Sequence, residues 1–569
     1  MAHVIVNHDV AHLDQTFTYG IPDEIASRVR VGSKLMVEFN KSQIEAVVLK
    51  IERVNTGTFK PISKVLNEYA YGDKAIELAQ EIAERYGTSH IRMLQFVPER
   101  LDATSGIPIE IERPVERPRF IFETQTSRRA LIAHLAGVNG AILIILPSER
   151  EVNAFVGRLG EELFDRVCRI EQKTNTKNRS ALEEKIAHRV NPIIVGSRSA
   201  VFMQIANLQE MVIIDEQSEQ YWEQRAPYWN VRDVALKRAP LEGLNLTFLG
   251  GLPSLELARL INIGYVRTDK PKLFSPRSRP ISFDSATFHG TIREGIAKGP
   301  VLVSVALKDY AKILVCRKCG SQPSCGCGLP LKSISKSTLE CVGCGSQSID
   351  WSCRECRSTQ LSLLSRGAER IIEELGKAFP NQPIYKSTSD RPLESTPASG
   401  IVVATPGMEP RDRNFSALIF LDAIFRLNRP TLRSEEHLHN HILRLMALLD
   451  DGAPVYVSLP QNHRISQSLN SKSPWKAINT LLSEREETRL PPWFRIIRIS
   501  GEGTSVLNQS FKEEFPDIEA SRVNSRNELI LRVPIAMSPN VVSSLKSLQR
   551  YRSASKRQLF KIEIDPFDL

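Results

Sequence analysis

The chain has no apolar run long enough to cross a membrane: the longest, Ala141 to Pro147, falls far short of the roughly 20 residues a bilayer demands. Its opening, MAHVIVNHDVAHLDQ, lacks the basic stretch, apolar core and small-residue cleavage site of a secretory leader. A cytoplasmic protein with no membrane partner is therefore expected. Outside one short segment cysteine is nearly missing, and Cys168 stands alone. The pattern G-x-x-x-x-G-K-[ST], whose backbone N–H groups, lysine and hydroxyl cradle nucleotide phosphates and magnesium, occurs nowhere. No internal repeat is evident.

What is present is ordinary globular material in quantity. At 569 residues the chain exceeds what one hydrophobic core supports, and roughly three to five units are expected. Hydrophobic residues make up 41% and charged residues 25%, which rules out disorder as the main state. The 75 Lys+Arg outnumber the 65 Asp+Glu, for a net charge of +10. That modest excess suits a polyanionic partner without requiring one.

Eight of the nine cysteines fall between Cys316 and Cys356, as CRKCG, CGCG, CVGCG and CREC. Pairs this close let two thiolates of one turn face one ion. The glycines after the second cysteine (Gly320, Gly328, Gly345) permit the left-handed backbone of a metal knuckle. Eight thiolates make two tetrahedral zinc sites, with Cys316, Cys319, Cys325, Cys327, Cys341, Cys344, Cys353 and Cys356 as ligands. Four disulfides are the alternative, disfavoured in a reducing compartment. Spacing does not decide which pairs share an ion. The Cys325/Cys327 pair, one residue shorter than the others, has a tighter bite.

Between residues 118 and 465, short continuous apolar runs alternate with helical stretches: AILIILP, NPIIVGS, MVIIDE and LTFLG, then VLVSVA, GIVVAT, ALIFLDA and APVYVSLP. Continuous rather than alternating runs are what a parallel sheet covered on both faces demands, so two doubly wound α/β lobes are expected. The cysteine-rich segment interrupts the second. Residues 1 to 100 read as a mostly β module with a helix over 73–86, and ERPVERPRF as a linker. After residue 500, strands near 528–533 and 560–564 flank a helix at 539–551.

Several segments together resemble the PriA (primosomal protein N′) family of replication-restart helicases. HVIVNHDVAHLDQTFTYGIPD, VRVGSKLMVEF and PISKVL resemble its 3′-DNA-end-binding domain, where an F-D-Y element and a downstream lysine hold the terminal nucleotide. Phe17, Tyr19 and Lys64 match those positions, and Thr18 replaces the acid. VGSRSAVF, VIIDEQSEQYW, RDVALKRA and LGGLPSLELA resemble the helicase segments in order and spacing. The cysteines fall where the family inserts its two-zinc region, SEREETRLPPWFRI resembles the join to the carboxy-terminal domain, and KIEIDPFDL resembles that domain's end.

The resemblance implies a multidomain α/β protein. It would have a mostly β DNA-binding domain (1–100), a linker with the winged helix reduced or absent (101–120), and RecA-like doubly wound helicase lobes at 121–270 and 271–465. The second lobe would be interrupted by a two-zinc region (312–361), and a small α+β C-terminal domain with a basic helix would follow (466–569).

The departures bear on function. FIFETQTSRRALIAHL stands where the phosphate loop should be and has neither glycine nor a Gly-Lys pair, although Arg128 or Arg129 could reach a phosphate. Asp215-Glu216 survives from the magnesium-holding pair as a vestige. HNHILRLMALLDDG replaces the Q-x-x-G-R-x-G-R element, so Arg444 lacks its motif. With loop, lysine and paired arginines missing, ATP hydrolysis is not expected and ATP/Mg2+ binding is not supported. This pattern resembles the actinobacterial branch of the family.

The expected function is recognition of forked or single-stranded DNA in replication restart, with primosome proteins and single-strand-binding protein as partners. DNA contacts are expected from Phe17, Tyr19 and Lys64 and from the tail cations Lys546, Arg550, Arg552, Lys556 and Arg557. A zinc-containing interaction scaffold, and an active ATP-dependent 3′-5′ helicase with atypical motifs, are the alternatives.

Overall fold

The structure, a computed structural model, describes all of the chain except residues 54–58, 101–115, 123–128, 171–175, 269–279, 306–310, 320, 328, 336–337, 343, 367, 411–413, 428–430, 472–473, 524–526 and 568–569. The first module is a five-stranded antiparallel sheet in the spatial order Phe17–Tyr19, Ala2–Val6, Ser42–Ile51, Lys34–Phe39, Ile62–Asn67. Its inward-facing Val4, Val6, Leu35, Val37, Ala46 and Val48 form a core of their own. Gly32 turns the chain into the third strand at φ 82°, and a side chain there would collide with the Tyr71 carbonyl. The helix Asp73–Arg85 follows.

The continuous apolar runs become parallel strands covered on both sides. In the first lobe seven strands lie in the order Arg267–Thr268, Arg119–Phe122, Asn245–Gly250, Leu208–Ile214, Ala141–Ile145, Ile193–Gly196, Val167–Arg169, every pair parallel. The run at 141–145 shows why no alternation was visible. Ile142 and Ile144 enter one core, Leu143 and Ile145 the other, and all four are fully buried. The second lobe repeats this with six parallel strands in the order Ile281–Ser282, Val455–Val457, Ala417–Phe420, Val301–Ser304, Ile401–Ala404, Ile384–Ser387. Val301 and Val303 face one side, Leu302 the other. The helices Arg464–Ser471 and Pro474–Glu487 lie on this second core through Leu469, Ile478, Leu481 and Leu482.

The last unit is a four-stranded antiparallel sheet, Glu519–Val523, Glu528–Pro534, Phe494–Ser500, Lys561–Ile564, with the helix Ser538–Ala554 packed on it. Its Ile497, Leu531 and Val542 belong to the same continuous core as Ile82 of the first module and Phe248 of the first lobe. Three units therefore share one interior. Among the described residues no helix is long and apolar enough to cross a membrane.

A buried charge network fixes this junction. Asp233, on the helix Val231–Glu242, accepts from Tyr86 Oη at 2.7 Å and Arg85 Nε at 2.8 Å, with Arg232 Nε 3.5 Å away. Tyr86 Oη also accepts from the Asn230 N–H at 3.1 Å. Arg495 of the C-terminal sheet donates to the Arg85 carbonyl at 3.1 Å and to Asp565 at 2.7 Å. Burial alone would raise the Asp233 pKa, but Arg85 and Arg232 outweigh it and hold the carboxyl well below the usual range.

Removing the carboxylate in Asp233→Ala takes the acid from Arg85 and the hydrogen-bond acceptor from Tyr86, while Arg232 keeps Glu216 and Glu256, and a loss of about 3 kcal/mol in denaturant unfolding is expected. Because the folded pKa is depressed, this stabilisation is complete above the unfolded value of about 3.9 and disappears as pH falls below it. The variant should accordingly lose less stability than the native chain between about pH 4 and pH 2.

Candidate functional site

The cysteine-rich segment leaves and re-enters the second lobe on two antiparallel strands, Ala311–Cys316 and Leu361–Arg366, with Cys316 opposite Leu361. The structure decides the pairing that spacing left open. Cys316 and Cys319 meet Cys353 and Cys356, and Cys325 and Cys327 meet Cys341 and Cys344. Within each group the sulfurs lie within 4.8 Å of one another. The closest approaches are 3.5 Å for Cys316–Cys356 and for Cys319–Cys353, 3.6 Å for Cys325–Cys344 and 3.4 Å for Cys327–Cys341. The arrangement is nested, one site inside the other, and all nine cysteines are free of disulfides.

The local backbone explains how each pair faces inward. Cys316 N–H bonds to the Ser321 carbonyl, Cys341 N–H to Ser346 and Cys353 N–H to Ser358, the same turn three times. Cys325 N–H reaches Leu329, closing one residue sooner, which is the tighter bite of C-x-C. Gly345 sits at φ 71°, as its place after Cys344 requires. After Cys356 the corresponding residue is Arg357, at φ 59° without a glycine. Gly320 and Gly328 lie outside the described residues. The Ser346 hydroxyl beside Cys344 pulls its thiol down to about 6, and Ser321 does the same for Cys353. Cys356, hydrogen-bonded by its neighbouring thiols, is instead pushed up to about 12. Four converging sulfurs to a site are the donor set of a tetrahedral metal ion. The segment's interior of Leu331, Leu339 and Cys341 is too small to hold it folded by apolar burial alone.

A second candidate lies between the lobes, at the C-terminal end of the strand Leu208–Ile214. Asp215 is buried at φ 54°, and its carboxylate lies 3.5 Å from Arg444 Nε. Arg444 comes from the helix Ser434–Met446 of the opposite lobe and also donates to Glu151 at 2.5 Å. Glu216 is engaged on its own side, accepting from the Ser254 N–H at 2.6 Å and facing Arg232 at 3.5 Å. Burial pushes its carboxyl above the usual range against the pull of Arg232. Gln217 donates to the Leu252 carbonyl at 2.8 Å. The stretch where the phosphate loop is missing, with Arg128, lies outside the described residues, as does the side chain of Arg129.

The residues expected to touch DNA divide by surroundings. Lys64 is exposed on the strand Ile62–Asn67. Phe17 is half-buried edge-on to Phe39 at 5.0 Å. Tyr19 is buried in the module's core and donates to the Glu38 carbonyl at 2.9 Å. Lys546 and Arg550 both turn to Asp14, at 2.8 and 3.3 Å, and so tie the C-terminal helix to the first module. Arg552 lies over the Phe560 ring at 4.0 Å. Lys556 is exposed, and so is Arg557, which lies over the exposed ring of Tyr551 at 5.8 Å.

Sequence reasoning missed Asp14, Glu151, Glu256 and Arg433, charged groups that matter through burial, and Arg150, which matters through its bonds to the opposite lobe. The one available signal was a charge at a helical position facing the core, as at Arg232 and Asp233.

A family model described as "3'DNA-binding domain (3'BD)" of PriA matches residues 3–98. The chain is similar to "Probable replication restart protein PriA" of Mycobacterium leprae, 25% identical over 98% of this chain and 99% of that protein. It is also similar to "Replication restart protein PriA" of Rickettsia felis, 27% identical over 46% of this chain and 43% of that one. Among solved structures, RecG bound to a three-way DNA junction matches at 10% identity with a TM-score of 0.37, covering 73% of this chain and 49% of RecG. The PriA resemblance read from the sequence is borne out over nearly the whole chain.

Elemental analysis of the purified chain should find two metal ions. Cys341→Ser should leave one ion and an ordered outer site, since the inner site hangs from the outer and not the reverse. A chain that loses both ions in this variant would refute the nested order.

Proposed function

We propose that this chain is a DNA-binding replication restart protein that recognises forked or single-stranded DNA and serves as a platform for reloading the replication machinery in the cytoplasm. The observation that carries the reading is the match of residues 3–98 to a 3′ DNA-binding domain, on a chain that aligns from end to end with replication restart proteins. Two zinc ions occupy the cysteine tetrads in this reading, because four thiolates at tetrahedral spacing favour zinc over the harder cations of the cell.

The lobes have the fold of a helicase and, in this reading, no motor. A triphosphate needs glycines that let the backbone wrap it, and FETQTSRRA supplies none. Magnesium needs an open acidic pair, whereas Asp215 faces Arg444 and Glu216 holds the Ser254 N–H. Each missing element of phosphoryl transfer costs orders of magnitude in rate. Lys64, Lys556 and Arg557 are the exposed cations offered to phosphate, while Phe17 and the Tyr551 ring offer stacking surface to an unpaired base. Primosome proteins and single-strand-binding protein would dock on the lobes and the zinc region.

The test is affinity for forked DNA with a 3′ end against plain duplex, measured over a range of salt, alongside ATP hydrolysis with the same fork. Fork preference with no ATP turnover is expected. Lys556→Ala with Arg557→Ala should lower the slope of log affinity against log salt by about two. Equal affinity for fork and duplex would sink the fork reading, and salt-independent or absent binding would leave a protein scaffold in its place. Turnover that disappears in Asp215→Ala would mean a working motor.

A further inference from the structure

We propose that the cleft between the two lobes is permanently latched, with Arg444 as a built-in cation between Asp215 and Glu151, so that the lobes form one fixed body instead of a pair that opens and closes. The inference extends the motorless reading above, and DNA binding by the first module would survive its failure.

The ties across the seam run in both directions. From the second lobe, Arg444 donates to Glu151 at 2.5 Å and stands 3.5 Å from Asp215. From the first, Arg150 donates to the Gly407 carbonyl at 3.0 Å and to the Leu393 carbonyl at 2.9 Å. At the start of the same helix, Arg433 reaches Glu256 at 2.5 Å, and the Leu255 N–H donates to Glu436 at 3.0 Å. Arg232 faces the same Glu256 at 3.2 Å from its own lobe, which makes a buried chain of alternating charge across the joint. Beside these, Leu252, Leu255 and Ala258 of the first lobe lie inside the second lobe's hydrophobic core. The ring of Phe567, from the C-terminal unit, is wedged between Trp222 of the first lobe at 5.3 Å and His437 of the second at 5.4 Å.

The chemistry of the joint explains why it stays shut. Lobes that move with a ligand need a ligand that binds one arrangement better than the other and then leaves. Here the cation that holds the acidic groups is a side chain, present at an effective concentration no free ion matches. Opening the cleft would separate Asp215 and Glu151 on one wall from the largely buried Arg444 guanidinium on the other, a separation that buried pairs resist strongly. Nucleotide with magnesium would have to displace Arg444 with no phosphate loop to repay the exchange.

The test is hydrogen exchange on the full, metal-loaded chain, followed at residues 148–152, 213–218, 407–410 and 440–446. In the native protein these amides should exchange as slowly as the strand at 141–145 and show no response to millimolar ATP with magnesium. Arg444→Met should speed them roughly a hundredfold, because it removes the cation that both carboxylates face across the seam. Adding Asp215→Asn and Glu151→Gln should restore slow exchange, since the neutral trio orphans no charge. Fast or nucleotide-sensitive exchange in the native chain overturns the latch, as does an Arg444→Met variant with an unchanged seam. Should Arg444→Met fail to fold, the triple variant decides, and its failure to fold as well would overturn the proposal.

Discussion

A carboxylate removed from water must have a cation within reach, and the joints of this molecule are built on that requirement. Asp14 holds Lys546 and Arg550 and so fixes the C-terminal helix to the first module. Asp233 holds Arg85, Arg232 and Tyr86 and binds that module to the first lobe. Asp215 and Glu151 hold Arg444 and bring the second lobe in. Each pair lies between units that a continuous apolar core already brings together. The apolar burial supplies most of the attraction, and the charges set the orientation, because a slip of a few ångströms would separate them at high cost. The result is a pair of doubly wound lobes whose shared cleft is crossed by buried ion pairs.

The cysteine-rich segment, whose two tetrads could each hold a metal ion, obeys a different constraint. It has almost no apolar interior, so its fold depends on eight sulfurs converging on two points. The nesting follows from chain economy: the outer pairs sit at the far end of a two-stranded stalk, and the inner pairs close the loop that the stalk carries. Three turns of one type and one shortened turn are enough to aim all eight.

Much was legible beforehand, for a reason visible in particular residues. Ile142 to Ile145 read as an unbroken apolar run because both faces of the strand are buried, the pattern that parallel strands covered on both sides produce. The eight cysteines announced two metal sites by chemistry that needs no fold to recognise. Tyr19 and Lys546 show the limit. Both matched a DNA-binding expectation by type and place, yet the structure turns the first into the module's core and the second toward Asp14, because partners distant in sequence claim them.

The sequence by itself determined the architecture, the family resemblance, the absence of a phosphate-loop pattern and the number of thiolate sites, since each rests on local pattern or on residue type. Only the tertiary structure decided which cysteines share a site, and that Arg444 faces Asp215 and Glu151. Those facts concern residues hundreds of positions apart, or pairs that spacing allows in several combinations. Electrostatic pairing depends on distance in space, and distance in space is what a linear pattern does not contain.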